Sequence, residues 1–453
     1  YAPIITIMKI DRLMHWCSAN GLKTPLQIRQ KEGNDGYRYV VLDPNHPEAR
    51  KRNLINLIDA PLDKVCMTSK TSDGLADRLL FESTLGEDSL FAPYLATLPT
   101  LESFQSTLPR FWTEKTWSLL ETQDTSTTTT GSSNMMDGGQ LKAAVELDEE
   151  RLKFSCDEWA QAIVDSRSHF VPPNGQEYAL TPVLDMINHN PNVPTKMKRV
   201  SGNNNNDDDD DDDNHDRILL QIPANAVWGE TEPNLLSQVQ SLWNTAMNTP
   251  KEQEVFTSYG NMPNAELLLS YGFVQTDNPH NTETLAIPVI RQAKPLVIAC
   301  NADGSLAHET LPPLRLALVN QEERESLFNQ KEGDDEQQMQ QTPVSSPNGG
   351  SGTASQENGS TTSITNRIIS SRNEMEVMAL VGGTLEEAVY DLKGFIQQLE
   401  QQRQLEKAFS DDNLQHRDDD AIFSLLVTYL VERRKTLQAC LTCIQQQYPD
   451  LFG

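Results

Sequence analysis

Apolar residues recur at helical spacing over Ile7, Ile10, Leu13, Met14 and Cys17, and Asn20-Gly21 ends the run; this predicts a short N-terminal helix. The period then changes. Tyr37 to Leu42 is β-branched and aromatic, bounded by Gly36 and Asp43-Pro44, and predicts a strand. Leu75, Leu79 and Leu80 return to helical spacing over residues 75–85. The last third differs in kind. From Asn373 to Gln404 and from Asp420 to Tyr448, apolar residues fall three and four apart with Gln, Glu and Arg between them. Two such amphipathic helices must cover each other's stripes, so the pattern itself predicts a helical C-terminal domain.

Four polar tracts interrupt this plan: Thr125 to Gly139, Gly202 to Asp216, Asn244 to Glu254 and Lys331 to Asn366. None holds enough apolar surface to offset the entropy of ordering it, so all four are expected to be flexible surface insertions, with 331–366 disordered. The second holds a run of seven aspartates, Asp207 to Asp213, without the spaced ligands and turn glycine of a calcium loop. The formal net charge of −28 disfavours nucleic acid and anionic membrane surfaces, which need Lys and Arg, and suits a basic protein partner. No run of about eighteen apolar residues predicts a transmembrane helix. The six cysteines are scattered and suggest no disulfide framework. Cys440 and Cys443 share a helical apolar face with Leu437, Leu441 and Ile444, and no second pair completes a zinc site, so no metal is expected.

Chemistry-bearing residues concentrate in three stretches. Thr181-Pro-Val-Leu-Asp-Met-Ile-Asn-His-Asn190 sets an amide and an imidazole, Asn188 and His189, directly after an apolar run. Glu254 to Gly260 and Asn264 to Val274 place Tyr259 and Tyr271 at the two ends of a linker and short helix, with Asn264 as its expected N-cap and Gly272 as its terminator. Trp159 to Phe170 reads as a helix with Trp159, Ile163 and Ser166 on one face and Arg167 near its end. Each has an ordinary reading when taken alone: a loop-capping Asn-His pair, a surface ion pair, core aromatics. No G-x-S-x-G, H-E-x-x-H or G-x-x-x-x-G-K-[ST] motif is present.

Taken together, the three stretches resemble the SET-domain protein methyltransferases, in the branch typified by the Rubisco large-subunit lysine methyltransferase. Ser89-Leu-Phe-Ala-Pro-Tyr-Leu-Ala-Thr-Leu-Pro99, Phe111-Trp112, Trp117 to Leu120 and Leu311-Pro-Pro-Leu-Arg-Leu-Ala-Leu318 extend the likeness, which runs from about Leu79 to the C-terminus apart from the inserts. It implies an α+β chain: a β-rich SET domain with a knot-like crossing and a helical insert over 1–290, then an all-α substrate-binding domain over 291–453. It implies S-adenosylmethionine as cofactor and a lysine side chain of a protein as methyl acceptor. By the same likeness Arg167, Asn188, His189 and Tyr259 are expected to hold the cofactor, and Tyr259 and Tyr271 to be catalytic. Asp185, Ser166, Tyr271 and Phe273 are expected to line the lysine channel, whose aromatic walls suit a lysine stem. Plastid, cytosol and nucleus all fit the family.

One departure matters. SET domains open with a G-x-G that wraps the cofactor's methionine end, where bare backbone approaches closely. The matching region, Gly33-Asn-Asp-Gly-Tyr-Arg-Tyr-Val-Val-Leu42, has glycines at 33 and 36 but no clean G-x-G. His169 is also an extra residue between Arg167 and the aromatic Phe170. The missing motif leaves a second reading, a catalytically inactive SET-like scaffold that binds a protein partner; the family resemblance also allows a histidine-directed methyltransferase, although the aromatic Tyr271-Gly-Phe273 end favours lysine.

Overall fold

The computed structural model describes residues 2–30, 38–113, 116–117, 157–172, 177–201, 215–228, 253–287, 295–327, 368–409 and 416–452. Gly33 and Gly36, Cys156 and nearly all of the four polar tracts lie outside the described residues. The chain divides into two units. The first comprises 1–112, 143–262 and 266–273, and the second 113–142, 263–265 and 274–453.

The first unit is built of small sheets. Helix α1, Ala2–Ala19, takes up the helical spacing of the N-terminus and buries Ile10, Leu13 and Cys17. Gly21 follows it at φ 84°, a conformation that costs glycine no Cβ clash. Strands β1, Leu26–Gln30, and β2, Arg38–Leu42, form an antiparallel pair. Strand β3, Leu54–Pro61, leads to β4, Met67–Ser69, and then to α2, Ser72–Leu85. The Thr71 hydroxyl accepts from the Gly74 amide, and this N-cap starts α2. Short helices α3, Ala92–Leu95, and α4, Leu101–Gln105, follow. Helix α5, Glu158–Arg167, is capped by Asp157, whose carboxylate accepts from the amides of Trp159 and Ala160.

The extra residue after Arg167 is absorbed by pairing. His169 and Phe170 form β5 against β6, Tyr178–Leu180, which in turn pairs with β4. Successive residues of a strand face opposite ways, so His169 turns inward to the Thr181 hydroxyl at 3.3 Å while Phe170 is 54% exposed. Strand β7, Asn188–His189, precedes β8, Lys196–Val200, and β9, Arg217–Pro223; β9 is the centre of the sheet β3-β9-β8. Helix α6, Ala224–Trp228, and strand β10, Phe256–Thr257, follow. The β10 strand lies parallel to β7, with Phe256 opposite Asn188 and Thr257 opposite His189. One core joins these pieces, with Ile55, Leu57, Met67, Leu75, Leu79, Tyr94, Ile163 and Leu180 fully buried in it.

Helix α7, Asn264–Tyr271, corrects one expectation. Asn264 is its first residue and not its cap. The Asn264 amide instead donates to the Gln275 carbonyl and accepts from the Gln275 amide and the Asn278 side chain. A fully buried Asn finds more partners in the returning chain than one turn of helix offers. Gly272 ends the helix as expected, at φ 73° with its amide on the Leu268 carbonyl.

In the second unit, β11, Thr282–Ile287, and β12, Leu296–Asn301, form an antiparallel pair. After α8, Leu311–Ala317, come two long helices, α9, Ser371–Phe409, and α10, His416–Gln447. They occupy the segments where periodicity predicts them. Val377, Val381, Leu385, Leu392, Ile396 and Leu399 on α9, and Leu426, Leu430, Leu437, Cys440 and Ile444 on α10, form the buried stripes. Two ion pairs are sealed in the same unit: Arg433 on Glu283 at 2.8 Å, with side chains only 3% and 2% exposed, and Arg315 bidentate on Glu374. No helix among the described residues is long and apolar enough to cross a membrane, and no cluster of His, Cys, Asp or Glu suits a metal ion.

Candidate active site

The approach to the site begins with a strained turn. Val183, in the Thr181-Pro-Val run, sits at φ 71°, which a β-branched residue rarely adopts and which carries a penalty of about 1–3 kcal/mol. The chain then makes one 3-10 turn, Leu184–Met186, and enters β7. This turn directs Asp185 into a buried position and sets Asn188 and His189 on the strand that pairs with β10. Parallel pairing with β10 is what brings two motifs distant in sequence side by side.

All eight residues expected at the site line one cavity of about 790 Å³: Ser166, Arg167, Asp185, Asn188, His189, Tyr259, Tyr271 and Phe273. Four of them form a continuous aromatic wall. The His189 ring lies 4.9 Å from that of Tyr259 and 6.0 Å from that of Phe273, while Tyr271 lies 4.8 Å from Tyr259 and 6.2 Å from Phe273. The His189 ring is fixed because its Nδ1 accepts from the Tyr259 amide at 3.0 Å. That bond leaves Nδ1 unprotonated and sets the tautomer with the proton on Nε2. Asn188 donates to Glu254 at 2.7 Å.

The Tyr259 hydroxyl donates to the Ile187 carbonyl at 2.7 Å. Its proton is thus spoken for, and its lone pairs remain as acceptors. Burial raises the phenol's pKa above its ordinary value, so Tyr259 stays protonated at neutral pH. Burial raises Tyr271 in the same direction. The Ser166 hydroxyl donates back to the Ala162 carbonyl at 2.6 Å within its own helix, although the residue borders the cavity.

Asp185 is wholly enclosed. Its Oδ2 accepts from the Tyr94 hydroxyl at 2.9 Å and from Arg167 Nη1 at 3.3 Å, and Arg167 also donates to the Asp185 carbonyl at 3.1 Å. Burial pushes the carboxyl pKa up, and Arg167 opposes this most strongly. Asp185 Oδ1 and Arg167 Nε are both buried without a partner. Orphaned polar atoms of this kind at a cavity wall fit a site whose remaining partners come from a ligand.

Three residues at the site were not singled out by sequence. Tyr94 stands in the Pro-Tyr-Leu stretch, where it looks like one more apolar helix position. Arg38 lines the cavity from the first position of β2, a strand recognised only by its apolar residues. Glu254 ends a polar tract and begins the Glu254–Gly260 stretch, in which Tyr259 carries the signal. The signals were positional: Tyr94 and Glu254 lie in family-like stretches, and Arg38 in the region matched to the G-x-G.

The architecture of small sheets with the parallel β7–β10 pair matches the fold of a solved SET domain. Two solved structures of Rubisco LSMT share the fold. The SET domain of LSMT bound to lysine and AdoHcy gives a TM-score of 0.59 at 17% identity, covering 98% of this chain and 92% of that one. Rubisco LSMT bound to AdoMet gives 0.56 at 16%, covering 98% and 93%. In sequence, the chain is 28% identical over 211 residues to the chloroplastic [fructose-bisphosphate aldolase]-lysine N-methyltransferase of Arabidopsis thaliana, a match that takes in 45% of this chain and 37% of that protein. It is 28% identical over 130 residues to human SET domain-containing protein 4, or 27% of this chain and 22% of that protein. The matched region thus spans well under half the length of either relative. No protein-family model matches the chain.

Proposed function

We propose that this chain is an S-adenosylmethionine-dependent methyltransferase that acts on a lysine side chain of a protein. One observation carries the reading. A single cavity brings together polar residues suited to a nucleoside and an amino acid, Arg167, Asn188 and His189, and an aromatic wall of Tyr259, Tyr271 and Phe273. A relative named as a lysine methyltransferase and a shared fold with LSMT support it.

When bound, the cofactor supplies an electrophilic methyl group. The remaining work falls to this chain. Tyr271 and Phe273 strip water from an apolar lysine stem, and desolvation favours the neutral amine that can attack. Tyr259, held as a phenol on the Ile187 carbonyl, presents an oxygen that accepts from an amine N–H or a polarised methyl C–H. It acts by position and polarity and not as a base.

Incubation of the protein with radiolabelled S-adenosylmethionine and a cell lysate tests the reading. Labelled protein bands, with label recovered in methyllysine after hydrolysis, are the expected result. Label in methylhistidine would move the acceptor to histidine. Absence of label, with no calorimetric heat from AdoHcy at high micromolar concentration, would leave the inactive scaffold standing.

A further inference from the structure

The cavity wall holds more positive charge than its own residues neutralise. Arg38 enters from β2 and donates Nη1 to the Thr97 carbonyl at 2.9 Å; among the described residues no carboxylate lies within ion-pair distance of it. Arg167 enters from the end of α5 and has Asp185 as its acidic partner. Asp185 has one charge to give, and its engaged oxygen is already shared with Tyr94. Among the described residues the count at this end of the cavity is therefore two guanidiniums against one carboxylate. Arg38 is pulled below its ordinary pKa first by burial and then by nearby Arg167, with Asp185 opposing. A half-buried surplus cation calls for an anion, and among the described residues none pairs with Arg38.

We propose that Arg38 and Arg167 form a two-arginine seat for the carboxylate at the amino-acid end of the methyl donor, making Arg38 a second cofactor-binding residue. This rests on the methyltransferase reading above. A planar fork on each side matches the geometry of a carboxylate. Arg38 is two residues after Gly36, so it occupies the place where a G-x-G beginning at Gly36 would have its second glycine. A charged side chain thus stands where other SET domains rely on bare backbone, which answers how a chain without the motif grips the same end of the ligand. The seat also orients both reactants. Two cations repel a lysine ammonium, so the substrate stem belongs at the aromatic wall.

The test compares two ligands by calorimetry: AdoHcy, which has the carboxylate, and methylthioadenosine, which lacks the whole amino-acid part. Arg38→Gln is expected to weaken AdoHcy by about tenfold or more, as for loss of a charge-assisted hydrogen bond, and to leave methylthioadenosine within about twofold. Arg38→Lys keeps the charge without the fork and is expected to fall between wild type and Arg38→Gln; it also serves should the glutamine variant not fold. Equal weakening of both ligands would overturn the seat and make Arg38 a structural support. Unchanged or tighter AdoHcy binding in Arg38→Gln or Arg38→Gly would overturn it too, since the side chain would then be idle or an obstruction. Wild-type protein that binds neither ligand would sink the methyltransferase reading itself, and the seat with it.

Discussion

At the scale of single residues, Tyr259 separates binding from turnover. Its hydroxyl donates to a backbone carbonyl and borders the cavity. Tyr259→Phe removes one preorganised polar group from the reacting centre, so kcat is expected to fall roughly 100-fold. AdoHcy affinity should stay within a few-fold by calorimetry, and equal kcat in wild type and variant would remove Tyr259 from its role. His169 gives a pH signature of a different kind. Burial takes its pKa from 6.5 down to about 4, with Nδ1 unpartnered. A depressed folded-state pKa means that its contribution is complete above the unfolded value of 6.5 and is lost as pH falls toward 4. Over that window urea unfolding should show up to about 3 kcal/mol of lost stability. His169→Leu should flatten this part of the curve, and an unchanged slope would assign the loss to other groups.

At the scale of elements, the aromatic wall depends on how α7 ends. Gly272 takes φ 73°, and a Cβ there would stand 2.8 Å from the Thr107 side chain and 3.0 Å from its carbonyl carbon. Gly272→Ala must therefore shift either the backbone of the 107 region or the chain between Tyr271 and Phe273. A destabilisation of about 1–3 kcal/mol is expected, measured as a lower Tm. Activity should fall further than Tm alone explains, because the two aromatics flank the glycine. A variant with wild-type Tm and kcat would show that the turn tolerates a side chain. In α9 and α10 the stripes are so regular that periodicity alone located them. The short strands β5, β7 and β10 are two residues each, below the length at which a pattern exists to be read.

At the scale of the whole molecule, the net charge of −28 acts on encounter rather than on fold. A basic protein substrate should be steered toward the chain at low ionic strength, and its KM should rise several-fold as salt approaches about 0.15 M, where the screening length is about 8 Å. AdoHcy affinity should change much less, since the proposed arginine seat is partly enclosed and less screened. A salt-independent KM would mean that the acidic surface plays no part in substrate capture.

Local pattern determined the N-terminal helix, β2, α2 and the two long C-terminal helices, and the family resemblance implied the α+β class. The motif residues themselves were also legible, because Asn188-His189, Tyr259 and Tyr271 stand in distinctive strings. What no string contains is adjacency. Parallel pairing of β7 with β10 joins His189 to Tyr259, and the strained turn at Val183 buries Asp185 between Tyr94 and Arg167. Arg38 became a site residue only because β2 runs beside the Leu184–Met186 turn, on the wall of the cavity that Arg167 also lines. Periodicity records which face of an element is apolar; the tertiary fold alone decides which charges meet and whether they are balanced, because electrostatic interaction depends on distance through space and on burial, neither of which is written along the chain.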